Sequence, residues 1–278
     1  MSEEPLTAIV CSGGGMRSAH GGGFLYALAT ELGITSPSIM IGSSGDAGNV
    51  LYFAAGEYGR LKSIWTERLS TSKFISLLRF WRVMDIDYLV DNVFKKQEPM
   101  DVERLKKSSI RWLIPVSDYA SGETRYVTVE DGLDPFEVLR ASAATPVIYR
   151  KKISLDGKRY IDGELGPTLQ DHITQALRCG AKRILIINHT TPRNVLTRMI
   201  GRAYTAYMPK GIREAIRRDL ATDVFHISAP GILVIVVNPL QLPAGKLTRD
   251  RKKLQATFEQ GIADAIALRH ELQNLFQT

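Results

Sequence analysis

The sequence predicts an α/β protein whose mostly parallel sheet is covered by helices on both faces, and three observations carry that prediction. Short apolar runs alternate with segments of helical spacing along the chain. Two of those runs pass directly into turns rich in glycine and serine. No internal repeat, low-complexity tract or Gly/Ser linker divides the 278 residues, so one domain over residues 5–278 is expected.

Taken in order, Thr7–Cys11 reads as a short buried strand and Ser18–Leu32 as a helix closed by Gly33, with Leu25, Leu28 and Leu32 at helical spacing. Ser38–Ile41 is a second apolar strand, and Asp46–Ala55 a helix of small residues. Arg60–Trp81 reads as helical, and Met84–Lys107 as a polar, mixed segment suited to a lid or cap. Ile110–Ser117 and Thr124–Glu130 are expected strands, with Pro135–Ala144 a helix. Ile153–Leu155 and Arg159–Ile161 flank Asp156-Gly157, a pair that favours a tight hairpin. Leu169–Arg178 is a helix ended by Gly180, and Arg183–Asn188 a buried strand. Ile232–Val237 is the most apolar strand of all, and Leu247–Phe276 a long amphipathic helix.

Composition bounds the function. At 44% hydrophobic and 23% charged, the chain matches a globular protein and not a disordered or fibrous one. No stretch reaches the roughly 18 consecutive apolar residues of a bilayer span. The segment Met1–Pro5 lacks a basic region followed by an apolar run, so a cytoplasmic enzyme is expected and not a secreted one. Cys11 and Cys179 are too few for a disulfide framework or a metal site of their own, and read as buried thiols. The formal charge of +7 is concentrated locally. Arg193–Arg218 carries seven basic residues against Glu214, and Lys246, Arg249, Arg251, Lys252 and Lys253 are opposed only by Asp250. Such clusters suit anionic partners or a solvated face. Because Val195–Leu220 mixes apolar residues with its arginines, Arg193–Arg218 is expected to touch an anionic membrane, with subunit contact as the alternative. No nucleic-acid recognition module is present, so no nucleic acid is expected. The apolar and aromatic residues between Trp65 and Trp81 suit core, an acyl pocket or a membrane-facing cap.

The chemistry concentrates at two strand–turn–helix junctions. In Ser12-Gly13-Gly14-Gly15-Met16-Arg17-Ser18, three glycines permit a sharp turn and leave their amides unobstructed, which at a helix N-terminus makes a site for a phosphate or an oxyanion. The run matches neither G-x-x-x-x-G-K-[ST] nor G-x-G-x-x-G. The second junction, Ile41-Gly42-Ser43-Ser44-Gly45-Asp46, resembles a nucleophile elbow, with Ser44 between small neighbours and Asp46 where G-x-S-x-G ends in glycine. A serine nucleophile needs a base. His189 after its strand, or His226, offers one route; Asp162 of Asp162-Gly163, at the end of the hairpin strand, offers another.

Gly13-Gly14-Gly15-Met16-Arg17, Gly42-Ser43-Ser44, Ala141-Ser142-Ala143-Ala144-Thr145-Pro146 and Tyr160-Ile161-Asp162-Gly163, in this order and spacing, resemble the patatin-like phospholipase family over about residues 5–190. That resemblance implies a three-layer α/β/α sandwich and a serine–aspartate dyad that hydrolyses acyl esters of lipids, phospholipids or lysophospholipids among them. It implies no metal, no cofactor and no catalytic histidine. Carried to this chain, Ser44 is the nucleophile, Asp162 its general base, Gly13, Gly14 and Gly15 the oxyanion hole, and Arg17 a substrate-binding residue on the positive rim. Three positions depart from the family's pattern: Asp46 for the second elbow glycine, Ser18 after the basic residue, and Glu164 after Asp-Gly. Asp46 is expected either to point into the site or to complement the dipole at the N-terminus of its helix.

Overall fold

The computed structural model describes residues 5–79, 81–146, 148–165, 167–189, 208–221 and 231–276. Their sheet has strand order β5-β6-β3-β2-β1-β7-β8, with β4 also on β3. The strands are β1 Leu6–Cys11, β2 Ile39–Gly42, β3 Arg111–Asp118, β4 Thr124–Val127, β5 Ile153–Leu155, β6 Lys158–Ile161, β7 Ala181–Ile187 and β8 Leu233–Val237. β1 lies parallel between β2 and β7, and β3 and β8 extend the parallel run. The C-terminal half of β3 instead takes β4 and β6 antiparallel.

Strand periodicity makes the layers. Ala8 and Val10 of β1 face one apolar cluster, with Ile173 and Ala176 of helix α7 (Leu169–Arg178). Ile9 and Cys11 face the larger one, with helices α1 (Ala19–Thr30), α2 (Gly45–Ala54) and α9 (Arg251–Ala267). Alternate side chains of a strand point to opposite faces, so a strand apolar at every position needs cover on both. The α1–α9 contact is unusually close. A Cβ on Gly23 would fall 1.9 Å from the Phe258 carbonyl oxygen, and one on Gly261 2.1 Å from that of His20.

The remaining helices are α3 Arg60–Ser63, α4 Ile86–Tyr88, α5 Val102–Lys106, α6 Pro135–Ser142, α8 Lys210–Ala221 and α10 Arg269–Phe276. The hairpin forms where Asp156 and Gly157 both take positive φ, 48° and 76°. Two sequence expectations are corrected. Arg60–Trp81 is not one helix: α3 runs into a wider-wound stretch, Ile64–Arg68, and stops before Ser70-Thr71-Ser72. There the Ser70 hydroxyl donates to the Glu67 carbonyl and Thr71 Oγ1 accepts from the Lys73 N–H, hydroxyls competing with helical bonding. The C-terminal helix is two, α9 and α10, divided at Leu268. The apolar β8 is an edge strand among the described residues, with Leu233 57% and Val236 43% exposed. Cys11 is buried and Cys179 half-buried. Most of Arg193–Arg218, and His226, lie outside the described residues. No helix among the described residues is long and apolar enough to cross a membrane.

Candidate active site

β2 ends at Gly42, and two residues later Ser44 takes φ 48° and ψ −118°, a conformation that strains a side-chain-bearing residue. Close packing fixes this turn. A Cβ on Gly42 would lie 2.5 Å from Val50 Cγ2, and one on Gly45 2.6 Å from the Gly15 carbonyl oxygen. The Ser44 N–H donates to Ser142 Oγ (3.2 Å), tying the elbow to the end of α6. α2 begins at Gly45, so the serine stands at a helix N-terminus.

Ser44 Oγ donates to Asp162 Oδ2 at 3.2 Å. Asp162 follows β6 and is 1% exposed, its backbone held by the Ala144 carbonyl through Asp162 N–H (3.2 Å). The same Oδ2 accepts from the Thr145 hydroxyl, and Oδ1 accepts from the Glu164 N–H at 2.8 Å. Burial pushes the Asp162 carboxyl above its ordinary value, against the pull of these donors and of the Lys246 charge. The structure therefore brings together two of the residues expected from sequence, Ser44 and Asp162. It adds Thr145, whose place in Ala144-Thr145-Pro146 was the only sign of it in the sequence.

The glycine loop is less uniform than its sequence. Gly13, Gly14 and Gly15 have φ of 78°, 140° and 60°, which only glycine adopts without strain. The Gly13 N–H donates inward to Asp46 Oδ2 (3.1 Å), so Gly13 does not offer the free amide expected of it. The Gly14 and Gly15 amides carry no hydrogen bond among the described residues, and Gly15 lines a cavity together with Ser44 and Gly45. Arg17 is likewise not where the resemblance puts it: it is 7% exposed, outside the cavity wall, and burial lowers its pKa.

Asp46 neither enters the cavity nor caps its helix through a backbone bond. Fully buried, it accepts from the Gly13 N–H, from Ser18 Oγ (2.9 Å), from His189 Nδ1 (3.1 Å) and from Asn49 Nδ2 (2.7 Å). Two of the three departures from the family pattern, Asp46 and Ser18, are thus one hydrogen-bonded pair. His189 Nδ1 also faces the Gly13 carbonyl (3.1 Å), so that nitrogen carries the proton. His189 Nε2 meets His20 Nδ1 (3.1 Å), and His20 Nε2 meets Asp264 Oδ2 (2.8 Å). The two imidazoles form a buried chain from beneath the glycine loop to a carboxylate on α9. Burial, together with the neighbouring His189, brings His20 down to about 4, against the pull of Asp264. No local pattern announces this chain, because its members stand up to 244 residues apart. The third departure, Glu164, lies over the loop: a Cβ on Gly13 would fall 2.1 Å from Glu164 Oε1.

The cavity holds about 260 Å³. Tyr52, Leu61, Trp65, Phe74, Phe94 and Leu139 make much of its wall, with Ser44, Thr145, Glu164 and Lys246 among its polar members. The Trp65 indole N–H is satisfied by Asn49 Oδ1 (2.7 Å), leaving its apolar face to the cavity. The expected lid contributes Met84, Ile86, Leu89 and Phe94. Arg140, 8% exposed, clamps it to α6 through Asp87 (2.6 Å) and Asp91 (2.8 Å). Among the described residues no group of histidine, cysteine and carboxylate side chains is arranged to hold a metal ion.

Comparison with known proteins agrees with this architecture. The protein YjjU of Escherichia coli K12 is 29% identical over 189 residues, which cover 65% of this chain and 51% of YjjU, so the chain spans about half the length of that curated relative. The crystal structure of VipD from Legionella pneumophila superposes with a TM-score of 0.52 at 12% identity, covering 95% of this chain and 67% of VipD, a likeness of fold. The family model described as patatin-like phospholipase matches residues 9–169, a range that contains the glycine loop, Ser44, Thr145 and Asp162. The chain belongs to the patatin-like phospholipase family, a family of lipid acyl hydrolases.

Proposed function

We propose that this protein hydrolyses carboxylic esters of lipids, phospholipids or lysophospholipids, through a dyad of Ser44 and Asp162. The observation that carries the reading is Ser44 Oγ, 3.2 Å from a buried carboxylate, on a strained turn in the wall of a largely apolar cavity. Asp162 takes the hydroxyl proton as Ser44 Oγ attacks the ester carbonyl. The Gly14 and Gly15 amides, beside the N-terminus of α2, stabilise the tetrahedral oxyanion. The proton on Asp162 passes to the leaving alcohol, giving an acyl-serine. Water then attacks the acyl group with Asp162 again as base, releasing the fatty acid and restoring the serine. The raised pKa of Asp162 suits this work, since a carboxylate nearer neutrality is a better proton acceptor. A histidine route through His189 is disfavoured by its hydrogen bonds, which commit both ring nitrogens to Asp46, Gly13 and His20.

Hydrolysis of lysophospholipid and of a short-chain chromogenic ester tests the reading. Ser44→Ala is expected to abolish turnover and Asp162→Asn to lower it by about 10²–10⁴, while His226→Ala keeps wild-type rates. Turnover that survives Asp162→Asn but not His226→Ala contradicts the dyad.

A further inference from the structure

Beside the cavity stands a loop built inside out. Ile75 pairs antiparallel with Met84, the Ser76 N–H donates to the Val83 carbonyl (2.9 Å), and the Asp85 N–H to the Phe74 carbonyl (2.8 Å), closing the base of a loop. Its interior is filled by a cation. The Arg79 guanidinium donates to the carbonyls of Ser72 (3.2 Å), Lys73 (3.0 Å) and Phe74 (3.1 Å) and to the Asp85 carboxylate (3.1 Å). The apolar side chains are outside: Leu77 is 73% exposed, Leu78 90% and Trp81 50%. The usual arrangement puts leucines within and arginine in water. Here a brace of hydrogen bonds sits inside the loop while Leu77 and Leu78 stand in solvent and Trp81 is half-exposed beside them.

Two further observations say what they meet. Phe74 and Met84, at the two ends of the loop, line the cavity, so the apolar tip projects from the cavity's own wall. Arg249 Nη1 donates to the Ile75 carbonyl (3.3 Å), which brings the basic cluster Lys246, Arg249, Arg251, Lys252 and Lys253 against the base of the loop. Those five side chains are exposed, and Lys246 and Leu247 also line the cavity. Apolar residues beside a ring of cations complement the interface of an anionic bilayer, where acyl chains lie beneath phosphates. A second copy docking through the same face about a two-fold axis brings like charge against like charge.

We infer that Leu77, Leu78, Trp81 and the Lys246–Lys253 cluster form a docking face for anionic lipid bilayers. Leu77, Leu78 and Trp81 enter the acyl region, the lysines and arginines meet the phosphates, and the cavity opens toward the lipid. The purpose assigned to this face rests on the hydrolase reading above; the docking itself is measurable without turnover. It differs from the expectation that Arg193–Arg218 makes the membrane contact.

Trp81 is the built-in reporter, since the chain has three tryptophans and Trp65 and Trp112 are only 4% and 2% exposed. The probe is a vesicle of phosphatidylcholine and phosphatidylglycerol in equal parts. Tryptophan emission of the full chain is expected to shift to the blue on these vesicles and to be quenched by brominated acyl chains, with pure phosphatidylcholine giving less of both. Trp81→Phe is expected to remove the shift. The pair Leu77→Asp and Leu78→Asp is expected to weaken co-sedimentation about tenfold or more, leaving hydrolysis of a soluble short-chain ester and fluorophosphonate labelling of Ser44 unchanged. Lys252→Glu with Lys253→Glu is expected to weaken binding only where phosphatidylglycerol is present. Unshifted Trp81 emission, or undiminished binding by the aspartate pair, overturns the inference. A change in molecular mass with the aspartate pair and no vesicle binding also overturns it, assigning the face to a second copy. Docking without ester turnover instead defeats the hydrolase reading alone.

Discussion

Ser44 and Asp162 meet because neighbouring residues leave them no alternative. The serine is held in a positive-φ turn by Gly42 and Gly45, and the aspartate stands between the Ser44 and Thr145 hydroxyls and the Glu164 amide. Burial raises the Asp162 pKa, so the fold bears a cost for keeping it ionised. Asp162→Asn removes that cost while keeping the shape, and is expected to melt at or above the wild-type temperature in calorimetry, with activity lost. For the same reason the acid limb of kcat/KM is expected above the ordinary carboxylate range near 3.8, because Asp162 must lose its proton to act. At this scale the sequence was legible where chemistry is local: Gly13-Gly14-Gly15 and Gly42-Ser43-Ser44 announce their turns. It was not legible where a side chain chooses a distant partner. Asp46, read as facing the site or complementing its helix, finds Gly13, Ser18 and His189, and Arg17 is buried instead of standing on a rim.

Among the elements, the pairing of α1 with α9 governs how firmly the glycine loop is supported. Through His20 and Asp264 that pairing completes the chain ending at Asp46. Gly23 and Gly261 allow it, since either Cβ would collide with backbone carbonyl oxygen. Gly261→Ala is expected to destabilise the fold by roughly 1–3 kcal/mol or more, seen as a lower midpoint in urea. An unchanged midpoint contradicts the close packing. The sequence showed α1 by its leucines yet gave no measure of its glycines, because close approach is a property of two helices and not of one. Strands and the Asp156-Gly157 hairpin were readable from period and turn chemistry alone. The break after Arg68 was missed because apolar residues continue past Ser70-Thr71-Ser72 at a spacing that imitates a helix, while Arg79 folds the segment back.

Over the whole molecule, the family match ends at residue 169, yet Lys246 and Leu247 line the cavity and α9 supplies Asp264. The C-terminal half is thus part of the site's construction. The protein also carries its acid sensitivity in the core. Burial lowers both His20 and His172 to about 4, with the neighbouring His189 adding to the effect at His20. The unfolded chain takes up protons at these rings below their ordinary 6.5, which the folded chain refuses until about 4. Their stabilisation is therefore complete above 6.5 and lost progressively as pH falls from 6.5 to 4. Asp162, with a raised pKa, works in the opposite direction as pH rises from 3.8. Denaturation midpoints measured across this range are expected to fall on acidification in the wild type and to fall less in His172→Gln. A slope unaltered by His172→Gln contradicts the buried neutral ring.

The central claim is an activated Ser44 driven by Asp162, and reaction with a fluorophosphonate probe, read by intact and peptide mass spectrometry, tests it without knowledge of the natural lipid. The account predicts one adduct per chain, on Ser44, absent in Ser44→Ala and strongly slowed in Asp162→Asn. A folded wild-type protein that takes no adduct, or takes it on another serine, contradicts the account.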